Sequence, residues 1–375
     1  MENKKIDKII SFQQFSISDN GGGSRILRRL TENNISELLF FSVITQKNYK
    51  KHILNNKEII YGLFPIKRKW MRWFIRDINS FLKLSFFYFY NSWIINRIAF
   101  KKDFNILHIV DQGKYSNVLL KKAIKNKIQI WVSFHDHFLS NASYKLVSQD
   151  LWKNANKRMV ISKQLGVEYC NLFGEKPFII VTDGIKSNEI FKPKTAIISK
   201  DIQIYFAGLL HLDYYPLFET FCNTLDYIIK EKKCTIKLIL RGTQKLDFLS
   251  KSLVEIEYKE FTLDSDVLIK EMNDSDILYL PMKYSNEYFY KYSFSTKMIG
   301  YLGASGNIFY HGPKDSAAAI FLQENGCAVV CDSLDPKEIN DYFNEVVKDF
   351  RYSENAKEVS ANKFSLREMQ SRFWS

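Results

Sequence analysis

The sequence is poor in cysteine. Its five cysteines are scattered, and no CxxC pair or His/Cys cluster occurs among Cys170, Cys222, Cys234, Cys327 and Cys331. This pattern suggests neither a structural zinc site nor a disulfide framework. We therefore assign no metal ligands and expect a reducing, cytoplasmic compartment.

Long apolar runs are also lacking. The longest candidate, residues 84–90, is far shorter than the roughly 20 residues that cross a bilayer. The start, MENKKIDK, carries charge at once and lacks the apolar core of a secretory signal. The sequence therefore predicts a cytoplasmic protein, and any membrane contact would be peripheral, on the inner face of the cell membrane.

Acidic residues are scarce in the first half of the chain. Residues 1–200 contain 34 Lys and Arg against 15 Asp and Glu, a net charge of +19, whereas residues 201–375 carry −6. A basic half of this kind indicates an anionic partner, either lipid headgroups or nucleic acid, or simply a solvated basic face.

What is present is the composition of a packed globular protein, with 46% hydrophobic and 15% aromatic residues. At 375 residues the chain exceeds the size of one core, so two domains are expected. Apolar strand-like runs alternate with helical segments in two series. The first includes residues 105–111 and 128–134, and the second includes residues 202–207 and 235–240. This alternation predicts an α/β fold with two doubly wound parallel sheets.

The predicted organisation has four parts. They are a first α/β domain at 1–185, a linker at 186–200, a second α/β domain at 201–350, and a C-terminal helical segment at 351–375 that packs back on the first domain.

Residues 292–325 contain two candidate helix starts, one at Ser295-Thr296-Lys297 and one after His311-Gly312-Pro313. Free backbone amides and the helix dipole favour a phosphate at such positions. Two of them within about thirty residues predict a ligand site of the α/β type.

A glycine run, Gly21-Gly22-Gly23, follows the first predicted strand, and we expect Ser24 to cap a helix that starts at Arg25. The glycines either border an active-site cleft or form only a flexible turn, since neither a GxGxxG fingerprint nor a Walker lysine is present.

The sequence His135-Asp136-His137 comes directly after a predicted buried strand, where doubly wound sheets bind ligands. A histidine there can donate a hydrogen bond or transfer a proton near neutral pH, although many such histidines are structural. No GxSxG elbow accompanies it, so no nucleophilic triad is predicted.

Residues 66–102 interleave aromatic and basic side chains with roughly helical periodicity. Such a helix can lie among anionic headgroups, or it can bury its aromatic face and expose only its cations. The sequence leaves both interpretations open.

Taken together, these segments resemble nucleotide-sugar glycosyltransferases of the GT-B fold, in particular the bacterial retaining enzymes of polysaccharide and glycolipid synthesis. The resemblance spans the chain in the correct order. Its segments are GGGSRILRRL, FNILHIVD, IWVSFHDHF, IQIYFAGLL, TIKLILRGT, DSDILYLPM and KMIGYLGASGNIFYHGP. The family's fold implies two Rossmann-like domains that face each other across a cleft.

The resemblance implies roles for individual residues. Gly21, Gly22, Gly23 and Ser24 would form the loop near the donor phosphate and the acceptor, and His135 would contact the donor sugar, oriented by Asp136. The donor would be a nucleoside diphosphate sugar, with no cofactor. The residues that would bind it are Arg241, Gly242, Tyr258, Ser295, Thr296 and Lys297, of which Lys297 would also stabilise the leaving diphosphate.

The chain departs from the family at its charged positions. The family's paired glutamates fall on Tyr292 and Gly300, and its Arg and Lys clamp is absent from the segment Gly208 to Asp213. Lys297 and Arg241 would then have to replace the charge of that clamp.

The predicted function is sugar transfer to a carbohydrate acceptor, lipid-linked, in the synthesis of a bacterial surface polysaccharide, by a retaining enzyme that needs no metal. An inactive or regulatory homologue and a sugar-nucleotide epimerase are alternatives. A nucleic-acid-binding protein is the alternative from a different class, although no recognised RNA-binding motif is present and no nucleic-acid partner is expected.

Overall fold

The computed structural model describes residues 8–34, 37–45, 57–63, 80–195 and 201–375. The chain divides into two compact units, Met1–Val181 and Thr182–Ser375. Each unit is a parallel sheet with helices, so the predicted α/β class is confirmed. The proposed linker and the separate role of the C-terminal segment stay predictions.

The first unit has a seven-stranded sheet in the order β3-β2-β1-β4-β5-β6-β7. Its strands are β1 (Ile9–Gln13), β2 (Leu38–Thr45), β3 (Glu58–Leu63), β4 (Ile106–Val110), β5 (Gln129–Phe134), β6 (Lys157–Val160) and β7 (Ile179–Ile180). The helices are α1 (Gly22–Thr31), α2 (Ser80–Ala99), α3 (Leu120–Lys125), α4 (Lys145–Asn154) and α5 (Lys163–Phe173).

The second unit has a six-stranded sheet in the order β10-β9-β8-β11-β12-β13. Its strands are β8 (Asp201–Ala207), β9 (Thr235–Arg241), β10 (Glu255–Lys259), β11 (Ile277–Pro281), β12 (Asn307–His311) and β13 (Ala328–Cys331). The helices are α6 (Tyr215–Lys232), α7 (Ser265–Asp274), α8 (Glu287–Tyr290), α9 (Thr296–Gly303), α10 (Ala317–Glu324), α11 (Pro336–Lys348), α12 (Arg351–Lys363) and α13 (Leu366–Trp374).

The strand sequences explain why both sheets are parallel. The strands β4, β11 and β12 are buried along their whole length, as expected for strands covered by helices on both faces. In the second unit, Phe221, Tyr279 and Phe309 stack face to face between sheet and helix; the Phe221 and Tyr279 centroids are 4.2 Å apart.

Among the described residues, no helix has both the length and the hydropathy that crossing a bilayer requires. In the same residues, no group of three or more His, Cys, Asp or Glu side chains is arranged to hold a metal ion.

Candidate functional site

The glycine run becomes the first turn of α1. Gly21 precedes the helix without a side-chain cap, and Gly22 and Gly23 are its first two residues. The prediction that Ser24 caps a helix starting at Arg25 is wrong, because the Ser24 hydroxyl donates to the Ser16 carbonyl (2.9 Å) inside the unit. The first-turn amides of α1 are therefore available to an anion.

His135 lies beside this turn. It follows β5, is only 9% exposed, and its Nδ1 has no hydrogen-bond partner among the described residues. A Cβ added to Gly23 would stand 3.4 Å from that Nδ1 and 3.1 Å from the Phe15 ring, so glycine keeps this space open. Burial lowers the pKa of His135 to about 4, so its imidazole is neutral at pH 7.

The two residues after His135 have different surroundings. Asp136 is half-buried, and its backbone carbonyl accepts a hydrogen bond from Asn141 Nδ2 (3.3 Å). His137 is buried, with Nε2 4.0 Å from Glu168 Oε1, and burial lowers its pKa to about 4. The orientation of His135 by Asp136 stays a prediction.

Asp111, which follows β4, is a residue that the sequence reasoning missed. It is 1% exposed, and its carboxylate accepts hydrogen bonds from the hydroxyls of Ser143 (2.9 Å) and Ser148. Its backbone carbonyl accepts from Asn141 Nδ2 (2.7 Å), so Asp111 also holds the loop after His135. Burial outweighs these hydroxyls and raises the pKa of Asp111 to about 6. The sequence signal that could have identified Asp111 is an acidic residue at the end of a predicted strand.

In the second unit, α9 begins at Thr296, and the Ser295 side chain accepts a hydrogen bond from the Lys297 amide (3.2 Å). Ser295 is therefore a true N-cap. The Lys297 side chain folds back so that its Nζ lies 4.4 Å from the centroid of the Phe206 ring on β8.

Lys297 also lies against the loop that follows β8. A Cβ on Gly208 would be 3.2 Å from Lys297 Nζ, a tight contact, and the φ of +126° at this position also favours glycine. Burial lowers the pKa of Lys297 to about 8. Within the part of the chain that the structure describes, no carboxylate forms an ion pair with this lysine, which leaves its charge available to an anion.

Arg241, by contrast, is engaged by its own protein. Its Nε donates to Glu271 Oε2 (2.9 Å), and its two terminal nitrogens donate to Glu271 Oε1 and to the carbonyl of Glu260. Lys259 Nζ also lies 3.1 Å from Glu271 Oε1. In this structure Arg241 therefore ties β9 to α7 and to the loop after β10.

The remaining donor-site candidates lie nearby along the same edge. The Gly242 amide donates to the Lys259 carbonyl (2.8 Å), and the Tyr258 hydroxyl accepts from the Leu246 amide (3.1 Å). A Cβ added to Gly300 would meet no atom within 4 Å beyond its own helix backbone. The place of the family's second glutamate is therefore open space.

The His311 turn has structural contacts. His311 is buried, with Nδ1 2.9 Å from the Tyr279 hydroxyl and Nε2 2.7 Å from the Ser333 carbonyl. Both ring nitrogens are occupied, so this second helix start offers no histidine to a ligand.

No family model matches the sequence, and no curated protein matches it. Solved structures do match. They include Anabaena HepE in complex with UDP and glucose, which is 11% identical, with 98% of each chain covered and a TM-score of 0.68.

An α,α-trehalose-phosphate synthase (UDP-forming) from Burkholderia xenovorans, in complex with glucose-6-phosphate, is 10% identical over 98% of this chain and 99% of that chain, with a TM-score of 0.65. A glycosyltransferase from Rickettsia africae is 13% identical over 98% and 97%, with a TM-score of 0.59. The chain has the GT-B fold. The fold implied by the sequence resemblance is thereby confirmed.

The buried Asp111 carboxyl predicts a specific pH dependence of stability. Because its pKa is raised on folding, its contribution is fully present below about pH 4, in the protonated form, and is lost as the pH rises through 6. In Asp111→Asn that loss should disappear. The difference in unfolding free energy between wild type and variant should change by on the order of 2 kcal/mol between pH 4 and 7.

Denaturant unfolding at several pH values measures this difference. Asp150→Asn, at an exposed position of α4, is the matched control and should track the wild type. A difference between wild type and Asp111→Asn that stays constant with pH would contradict the raised pKa.

Proposed function

We propose that this protein transfers a sugar from a nucleoside diphosphate sugar to a carbohydrate acceptor. The observation that carries the proposal is Lys297. A half-buried ammonium at a capped helix start, without an ion-pairing carboxylate in the described chain, is a site for a phosphate. That HepE has been solved with UDP and glucose supports a nucleotide-sugar donor.

In the proposed reaction, the bond between the sugar and the diphosphate breaks while the acceptor hydroxyl oxygen bonds to the same sugar carbon, and the hydroxyl proton passes to the departing diphosphate. Negative charge grows on the departing diphosphate. Lys297 and the first amides of α9, with Ser295 and Thr296, stabilise that charge because they are oriented before the reaction. Arg241, Gly242 and Tyr258 complete the donor side in this proposal.

The first unit supplies the sugar and acceptor side. The neutral imidazole of His135 has an unpaired Nδ1 that can hydrogen-bond a sugar hydroxyl, and Asp136 orients the ring. The first-turn amides of α1, from Gly22 to Ser24, offer a second anion site beside it. The resemblance to retaining transferases supports retention of configuration without a metal.

We further propose that the acceptor is lipid-linked and that the protein works at the inner face of a membrane, in surface polysaccharide synthesis. Helix α2 supports this. Phe86, Phe89 and Trp93 are 63%, 68% and 57% exposed at helical spacing, whereas Phe87 and Ile95 are buried. Arg97 lies over the Trp93 ring, 5.4 Å from its centroid. Residues 66–79 of the aromatic and basic stretch lie outside the described residues.

Replacing Lys297 by Ala should lower kcat/KM for sugar transfer by about a hundredfold or more, because the leaving diphosphate loses its side-chain cation. Initial rates with the donor that stabilises the protein measure the effect. Lys230→Ala, an exposed lysine on α6, is the matched control and should retain wild-type rates. Turnover like the wild type in Lys297→Ala would refute the assignment.

Gly300→Glu should restore a carboxylate at the position where the resembling family has one. The site has room, and the donor KM should fall relative to Gly300→Ala. Gly300→Ala is the necessary control, since either change removes a helix-interior glycine and should stabilise by about 0.5–1 kcal/mol. Equal donor KM values for the two variants would show that α9 does not lie along the ribose.

Replacing Phe86, Phe89 and Trp93 together by Ser should reduce binding to phosphatidylglycerol vesicles by at least about tenfold, because burial of each aromatic side chain contributes roughly 1.5–3 kcal/mol. Vesicle co-sedimentation measures it. Tyr227→Ser, an exposed aromatic of α6, is the control. Undiminished sedimentation of the triple variant would contradict membrane contact through α2.

Separate measurements distinguish the alternatives. Products analysed with and without acceptor separate transfer from epimerisation. Salt-dependent binding of oligonucleotides, together with no response to nucleotide sugars, would favour the nucleic-acid alternative.

A further inference from the structure

Six side chains form one continuous hydrogen-bonded chain across five adjacent strands of the first unit. Five of these side chains are buried, and the sixth is a half-buried carboxylate on the edge strand β3. In order, they are Ser133 on β5, His108 on β4, Ser11 and Gln13 on β1, Ser42 on β2, and Glu58 on β3.

The hydrogen bonds of this hydrogen-bonded chain all run in one donor-to-acceptor direction, which the Glu58 carboxylate sets. Ser42 has one hydroxyl proton, which it donates to Glu58, so it must accept from Gln13 Nε2 (2.9 Å). The Gln13 amide oxygen then faces Ser11 and accepts the Ser11 hydroxyl proton (3.0 Å). Each donor thus acts toward Glu58, whose carboxylate oxygens accept.

The same logic fixes the tautomer of His108. Since Ser11 has no second proton, it accepts from His108 Nδ1 (2.9 Å), and the bare Nε2 accepts from the Ser133 hydroxyl (2.8 Å). Burial, with the nearby His135 and Lys157, lowers the pKa of His108 to about 3, so the ring is neutral with its proton on Nδ1. Hydrogen bonds aligned in this way polarise and strengthen one another.

Both ends of the hydrogen-bonded chain, Glu58 and Ser133, lie next to the candidate site of this unit. At one end, Glu58 Oε1 accepts from the Ile17 amide (2.9 Å) and the Ser16 hydroxyl (3.0 Å), in the loop that leads into the glycine turn. The Ser16 carbonyl in turn accepts from Ser24 in the first turn of α1. At the other end, Ser133 lies on β5, two residues before His135, which directly follows that strand.

We propose that Glu58 is a positioning residue, which holds the loop that leads into the glycine turn and fixes the His108 tautomer, and with it the strand before His135, through the hydrogen-bonded chain. The proposal rests on the proposed function only for its consequence for catalysis. Glu58 meets three donors with two acceptor oxygens, and charge-assisted hydrogen bonds of this kind are about twice as strong as neutral ones. A glutamine has one acceptor oxygen, and its amide protons oppose the hydroxyl protons of Ser16 and Ser42.

The test compares Glu58→Gln with Glu175→Gln, a matched change at an exposed loop position of the same unit. In Glu58→Gln, amide hydrogen exchange in residues 16–24 should accelerate by about tenfold or more. The nitrogen NMR shifts of His108 should change from one fixed tautomer to a mixture. The turnover number should fall by about tenfold, while the dissociation constant of a nucleoside diphosphate without the sugar, whose proposed contacts are in the second unit, stays within about twofold. Glu175→Gln should match the wild type in all four measurements.

Ser11→Ala interrupts the chain in its middle and keeps the interpretation falsifiable if Glu58→Gln folds poorly. It should release the His108 tautomer but leave exchange in residues 16–24 unchanged. Unchanged exchange and an unchanged His108 tautomer in Glu58→Gln, or a fixed tautomer in Ser11→Ala, would overturn the proposal. The exchange and NMR measurements decide it even if no transfer activity is found, so failure of the proposed function is separately visible.

Discussion

The parallel pairing of the strands is the constraint on which the rest of the structure depends. In the described chain, every paired strand of both sheets runs parallel to its neighbour, so each sheet collects its carboxyl ends along one edge. The backbone then delivers loops and helix starts to that edge regardless of how different the side chains are. This explains how 10–13% identity is compatible with a shared fold over 98% of the chain.

At each edge, the balance between burial and charge decides which groups are available to a ligand. Arg241 and Lys259 both pair with Glu271, and Lys259 also pairs with Glu257, whereas Lys297 is held against an aromatic ring and a glycine. Arg241, which the sequence offered together with Lys297 as a replacement for the absent clamp, is thus paired within its own unit. The lysine on the capped helix keeps its charge for the donor that we propose.

The sequence predicted those features that depend on local patterns. The alternation of strands and helices predicted both sheets, and the end of a predicted strand located His135. The helix start at Ser295 could be predicted because the cap and the amide that it binds lie within three residues, Ser295 to Lys297. The prediction for Ser24 was wrong because its hydroxyl partner, the Ser16 carbonyl, depends on the path of the preceding loop. A cap was expected from residue type alone, and the glycines before it proved able to start the helix themselves.

Features that depend on distant pairs could not be predicted. The partner of Arg241 is 30 residues away on α7, and the hydroxyls that surround Asp111 are 32 and 37 residues away. The hydrogen-bonded chain from Ser133 to Glu58 joins five strands, and the order of these strands in the sheet is not their order in the sequence. The periodicity of apolar residues along the sequence does not encode such contacts, because they arise only once the sheet has formed.

The central claim is that the second unit binds the diphosphate of a nucleotide sugar. The most direct measurement is thermal unfolding of the full chain with a panel of UDP-, GDP-, dTDP- and CMP-sugars. A nucleoside diphosphate sugar should raise the unfolding temperature in a concentration-dependent way, as expected for a ligand of the folded state. No stabilisation by any member of the panel would contradict it and favour a homologue that has lost the donor site.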